Sequence, residues 1–142
     1  MARIKIELPT EFRFSTSIPV RITDINYGGH VGNDTVLSII HEARMQYLKS
    51  HGYEELNIEG TSLIMSDVAI EFKSELFYGD IIKVFVTPGN FTAVAFDLFY
   101  KLEKSLDSGV IVATAKTGMV CFDYGRKKIV AFPLEAKSRL IV

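Results

Sequence analysis

Between Asp34 and His51 lies the one long stretch of this chain in which apolar side chains return at helical spacing. Val36, Ile40, Ala43 and Tyr47, flanked by Leu37, Ile39 and Leu48, make a stripe, with Ser38, Glu42, Gln46 and Lys49 opposite. Beyond it the period changes to two. Val68, Ile70 and Phe72 alternate with Asp67, Ala69, Glu71 and Lys73; Ile82, Val84 and Val86 alternate with Ile81, Lys83 and Phe85. Val94, Phe96, Leu98, Tyr100 and Leu102 share another face, and the run from Val110 to Phe122 is small or apolar on both sides. Ahead of the helix, Phe12 to Thr23 alternates too, and Pro19 within it marks an edge strand or a bulge. Short connections between such runs make antiparallel neighbours. The pattern predicts an α+β fold: a curved antiparallel sheet of about five strands wrapped around one long central helix.

Punctuation sets the boundaries. Residues 1–10 read as an extended arm ending at Pro9, and Tyr53 to Gly60 as a polar connection. Asn33 or Asp34 is placed to cap the helix and His51-Gly52 to stop it. Breaks are expected at Phe77-Tyr78-Gly79-Asp80 and at Asp107-Ser108-Gly109, with a hairpin turn at Pro88-Gly89-Asn90. Residues 125–142 form a tail in which Leu134 to Leu140 makes a short helical turn. Arg44 falls at the margin of the apolar stripe and is expected to reach a carboxylate or a carbonyl. The two-sided apolar character of the last strand implies a cover on the outer sheet face, expected to be another subunit, as in a homodimer or homotetramer. Residues 1–142 should make one domain, since 142 residues suffice for a core without metal or disulfide staples.

Charge and cysteine usage exclude some functions. A net charge of -1 gives no footprint for nucleic acid, and Arg126-Lys127-Lys128 is short enough to be a solvated loop. The lone Cys121 forms no internal disulfide, as in an intracellular protein, and its apolar setting makes it a core residue. The N-terminus has no signal-peptide core and no apolar run reaches the length of a membrane span, so the expectation is a cytoplasmic protein that does not bind membrane. Three scattered histidines and one cysteine suggest no metal-ligand set, and no cofactor is expected.

Chemistry concentrates just before the helix, in Asp24-Ile25-Asn26-Tyr27-Gly28-Gly29-His30-Val31-Gly32-Asn33-Asp34. Short polar side chains and glycines feed a helix start, where unpaired backbone N–H groups attract negative charge, including that of a developing oxyanion. The stretch Val20 to Asp34, then His41-Glu42-Ala43-Arg44 and Tyr47-Leu48, resembles the hotdog-fold acyl-CoA thioesterases, in particular the 4-hydroxybenzoyl-CoA thioesterase-like branch. It is similar to that branch's strand-end "S-D-x-D…G-H-V-N-N" segment and "E-A-R…Y-L" helix, and Tyr78-Gly79-Asp80 to its "Y-G-D".

The resemblance implies a thioester hydrolase acting on an acyl-CoA or acyl-carrier-protein substrate, and it makes the departures informative. Asn26 stands where the branch carries its usual catalytic acid, and an amide is neither general base nor carboxylate nucleophile near neutral pH. The acid then falls to Asp24 or Asp34, with Asn26 and His30 holding the geometry and the Asn33 backbone N–H polarising the carbonyl. Gly32 replaces the first Asn of the "N-N" pair. Each side chain also has a plain structural role open to it: Asp34 as helix cap, Asp24 as acceptor of backbone N–H bonds, Asn26 in an Asx-turn, His30 bonded within the turn, Glu42 as a partner for Arg44. Two other functions fit the same fold, a non-catalytic acyl-thioester binder and an enoyl-CoA hydratase or acyl-carrier-protein dehydratase.

Overall fold

The computed structural model describes residues 3–107 and 109–141. Five strands are hydrogen-bonded in the order β1-β3-β4-β5-β2, all antiparallel: β1 (Phe14–Pro19), β2 (Ser62–Phe72), β3 (Ile81–Gly89), β4 (Ala95–Lys104) and β5 (Ile111–Asp123). A two-residue β6 (Lys128–Ile129) adds to β5, and α2 (Leu134–Leu140) closes the chain, over the residues expected to turn helical. The architecture is α+β with a curved antiparallel sheet, consistent with a hotdog fold. β1 and β2 are the sheet edges, and Pro19 ends β1 opposite Ile81, where the next ladder bond is made by the Val20 N–H on the Asp80 carbonyl at 2.9 Å.

The helix α1 (Asn33–Ser50) is 18 residues long and packs on one sheet face, nearest β1 and β3. It buries Val36, Ile39, Ile40, Ala43, Arg44, Tyr47 and Leu48, while Ser38, His41, Glu42 and Lys49 face solvent. Facing it are Ile82, Val84 and Val86 of β3, Phe96, Leu98, Tyr100 and Leu102 of β4, and Ala113, Ala115, Met119 and Cys121 of β5, all buried. Small residues on β5 make room for the large ones on β4. Gly52, at φ +82, ends the helix: its N–H bonds the Lys49 carbonyl and the Tyr53 N–H that of Leu48.

Several expected boundaries move. β2 begins at Ser62, not near Asp67, because the register shifts between Met65 and Asp67 and the extra residue hides the alternation. Leu63 and Met65 therefore share a face with Val68, Ile70 and Phe72. Met65, Val68 and Phe72 are half exposed there, beyond the reach of α1. The connection before β2 is anchored by two buried side chains, Tyr53 and Ile58. β1 stops at Pro19 and a 3-10 turn (Ile22–Asp24) follows, which leaves Ile22 exposed. Pro88 and Gly89 remain in the ladder, paired with Leu98 and Asp97, so the chain reverses at Asn90, whose φ is 51. The turn at Asp107 and Gly109 is present, with Val110 N–H on the Asp107 carbonyl at 3.0 Å; Ser108 lies outside the described residues. His51, which stops the helix, is half-buried with its ring tilted against that of Tyr47, the centroids 4.9 Å apart.

The outer sheet face has a cover within the chain itself. The N-terminal arm lies across it, with the Ile6 N–H donating to Glu71 Oε1 at 2.6 Å and Phe12 packed edge-on against Phe85, the rings 6.0 Å apart. Glu71 also accepts from Thr114 Oγ1 at 3.4 Å, which ties arm, β2 and β5 together. The Ile6 N–H holds the Glu71 carboxyl below its ordinary range. Among the described residues no helix is long and apolar enough to cross a membrane.

Candidate functional site

The loop between the 3-10 turn and α1 is a tight hairpin. Ile25 bridges Val31, the Asn26 N–H bonds the His30 carbonyl at 2.9 Å, and Gly29, at φ +83, donates to the Asn26 carbonyl at 3.0 Å. The Val31 N–H reaches the Leu76 carbonyl at 2.9 Å, pinning the hairpin to the segment after β2. Inside it, Asn26 Oδ1 accepts the Gly28 N–H at 2.8 Å, an Asx-turn that aims the Asn26 Nδ2 the other way. His30 Nδ1 lies 3.2 Å from the Val31 carbonyl, which can only accept. Nδ1 is therefore the donor in this contact, which leaves Nε2 free to face the hairpin.

Two glycines leave the space these side chains use. A Cβ on Gly28 would stand 3.2 Å from Asn26 Oδ1 and 3.4 Å from His30 Nε2. A Cβ on Gly32 would stand 2.7 Å from Asp34 Oδ1 and 3.6 Å from Asn26 Nδ2. Asn26 is thus the middle of the group, His30 to one side and Asp34 to the other. The helix cap is Gly32, with no side-chain bond to the first turn, so neither Asn33 nor Asp34 caps α1. Asp34 occupies the first turn, and its exposed carboxylate folds back over Gly32. The first helical N–H pointed at a carbonyl or carboxylate within the described residues is that of Thr35, on the Gly32 carbonyl at 3.1 Å; the Asn33 N–H has no partner there.

Asp24 stands apart from this group. It is buried, its Oδ2 accepts the Arg21 N–H at 2.8 Å, and Arg21 Nη2 is 3.4 Å from Oδ1. It stabilises the 3-10 turn and lines a cleft of about 410 Å³ between β1 and α1, with Arg21, Ile39, Glu42 and Met45. His30 and Asn33 instead border a cleft of about 230 Å³ walled by Val31, Val36, Phe72, Leu76 and Val112, with Lys73 on its rim. The loop therefore brings Asn26, His30, Asn33 and Asp34 to one place and sends Asp24 to another. Among the described residues no three or more His, Cys, Asp or Glu side chains are grouped to hold a metal ion.

A second polar group, legible in sequence only as Arg44 near the stripe's margin, sits deep under the helix. Arg44 Nη1 donates to Tyr100 Oη at 3.3 Å, which lies 2.8 Å from Thr117 Oγ1, and Arg44 Nε is 3.5 Å from Glu55 Oε2. Glu55 Oε1 meets His41 Nε2 at 2.7 Å, so the partner of Arg44 is Glu55 rather than Glu42. Burial pushes the Tyr100 hydroxyl up in pKa and keeps it a neutral hydrogen-bonding group.

No curated protein sequence matches the chain. Among solved structures it is similar to the 1,4-dihydroxy-2-naphthoyl-CoA thioesterase Slr0204 of Synechocystis, at 24% identity over 89% of this chain and 94% of that one, with a TM-score of 0.81. It is also similar to the DHNA-CoA thioesterase of Staphylococcus aureus, at 20% identity over 88% of each chain and a TM-score of 0.77. The hypothetical protein SAV2348 of Staphylococcus aureus, solved in complex with CoA, matches at 19% identity over 95% of this chain and 85% of that one, TM-score 0.80. These likenesses establish the fold. The sequence itself matches the profile described as thioesterase-like superfamily over residues 20–140, which takes in the hairpin, α1 and every strand after β1. The chain belongs to the thioesterase-like superfamily.

Proposed function

We propose that the protein hydrolyses acyl thioesters of coenzyme A or of an acyl carrier protein. The observation that carries this reading is the meeting of Asp34, Asn26 and His30 beside the unpaired Asn33 N–H at the start of α1. The thioester carbonyl lies against that N–H, a placement typically worth ~3 kcal/mol to the developing oxyanion. Asp34 takes a proton from a water whose oxygen attacks the carbonyl carbon. The tetrahedral intermediate collapses with rupture of the carbon–sulfur bond, and the departing thiolate takes the proton from Asp34. Acid and free thiol leave, and the reaction consumes only thioester and water. Asn26 Nδ2 faces the Asp34 side, where it can donate to the water or to the carbonyl, and His30 Nε2 faces the Gly28 side of the hairpin, where it can bond the water. Asp24 is not the base in this reading, because both its oxygens are engaged by Arg21.

The apolar walls of the adjoining cleft suit an acyl group, but about 230 Å³ is below the roughly 300–1,000 Å³ of a pocket that encloses a ligand alone. The half-exposed Met65, Val68 and Phe72 on β2 extend it in the direction where a second copy of the chain would complete the wall, in a homodimer or homotetramer. The test is free-thiol release from a panel of acyl-CoAs of graded length plus an aromatic one. Release from at least one is expected. No release from any, or from acyl-carrier-protein thioesters, at high protein concentration refutes the reading and leaves the acyl-thioester binder.

A further inference from the structure

We infer that Gly32 is a positioning residue whose bare α-carbon seats the Asp34 carboxylate beside the Asn26 amide; the catalytic consequence rests on the thioesterase reading, the seat itself does not. Three observations meet here. Gly32 has φ -72 and ψ 158, extended backbone open to any residue, so nothing in the chain path demands glycine. A Cβ there would lie 2.7 Å from Asp34 Oδ1, a separation real Cβ atoms do not show, so any other residue turns that carboxylate away. The same point is 3.6 Å from Asn26 Nδ2, whose orientation is set from the far side by the Gly28 N–H on Oδ1. A donor amide and an acceptor carboxylate thus share one gap, and the gap exists because position 32 has no side chain. A carboxylate that caps nothing and is drawn back over its own helix start is held where a water entering from the hairpin would meet it. Gly32 touches no reacting atom; it acts through Asp34.

The test joins kinetics to a readout that needs no activity. Gly32→Ala, Asp34→Asn and the double variant are prepared in the full chain, with circular dichroism as the check on folding. Displacing a base by about an ångström is expected to lower kcat roughly 100-fold while KM stays near its original value. Asp34→Asn should match that loss, and the double variant should be no worse than Asp34→Asn alone. In parallel, the Asn26 side-chain amide resonances are followed by NMR from about pH 3 to pH 5, across the carboxylate range and below that of imidazole. They should move with pH in the original protein and stay flat in both single variants. Kinetic losses that multiply in the double variant, an unchanged kcat in Gly32→Ala, or Asn26 resonances insensitive to pH in the original protein each overturn the inference. If no acyl-CoA is hydrolysed but the Asn26 resonances respond to pH and lose that response in Gly32→Ala, the functional reading fails and the seat stands.

Discussion

Removing Glu55 should destabilise the protein more than removing the arginine it faces. Arg44 is buried, its side chain only 5% exposed, and its guanidinium is a permanent charge. At the 3.5 Å separation of Nε from Glu55 Oε2 an effective dielectric of about 20 gives roughly 5 kcal/mol of attraction. Most of that offsets the desolvation of the guanidinium, so the pair adds little net stability while both members are present. Glu55→Ala leaves the charge without its carboxylate; the site already has 17% exposure on the Glu55 side, and water entering there reduces the usual 3–5 kcal/mol to an expected ~3 kcal/mol. Arg44→Met keeps the apolar stem, and the Tyr100 hydroxyl retains Thr117 as a partner at 2.8 Å. The freed Glu55 turns to water and to His41, so the expected cost is about 0–1 kcal/mol. The double variant should resemble Arg44→Met. Urea unfolding at one fixed protein concentration reads all three, with Cm shifting at constant m. A Glu55→Ala cost equal to or below that of Arg44→Met would show that the guanidinium is not held by Glu55 and would refute the reasoning.

Asp34→Asn should lower kcat by about 100-fold or more with unfolding unchanged, whereas Asp24→Asn should weaken the 3-10 turn and lower the melting temperature while keeping kcat within a few-fold, as thiol release and thermal melts report. The Glu71 carboxyl titrates below its ordinary 4.5 in the folded protein, so its contribution is complete above the unfolded value and is lost as pH falls through the folded one. Limited proteolysis of the arm should therefore accelerate below about pH 4.5, and Glu71→Gln should remove that pH step. Gly52→Ala places a Cβ at φ +82 and should cost about 1 kcal/mol in the same urea titration.

Much of the fold was legible because its period is carried by side chains alone. The stripe of α1, the buried faces of β3 and β4 and the final short helix need nothing beyond spacing. The two largest misreadings share a cause: they turn on contacts between residues far apart in sequence. The extra residue between Met65 and Asp67 inverts the alternation of β2, and only pairing with β5 reveals that Leu63 and Ile70 share a face. The arm reads only as an extended segment, and Ile6 gains its role from Glu71, distant along the chain. At the site, the loop and its helix were readable as a unit, whereas the sequence left Asp24 and Asp34 both open as the acid. What decides where each acid points is backbone curvature: a 3-10 turn rotates Asp24 onto Arg21, while an unsubstituted Gly32 admits Asp34. Sequence registered Gly32 only as a departure from a pattern, since the space it leaves is visible only with Asp34 in place.

The strand order has a consequence for synthesis on the ribosome. β3, β4 and β5 are consecutive and pair as they emerge, but β1 and β2 flank them and precede them in the chain. β1, the hairpin, α1 and β2 therefore leave the exit tunnel with their ladder partners still unmade. β2 waits until β5 appears, and with it waits the segment at Leu76 that pins Val31. The hairpin before α1 is translated ahead of the strands that fix it, and during that interval the apolar stripe of α1 and the strand edges are open to chaperones and to neighbouring chains.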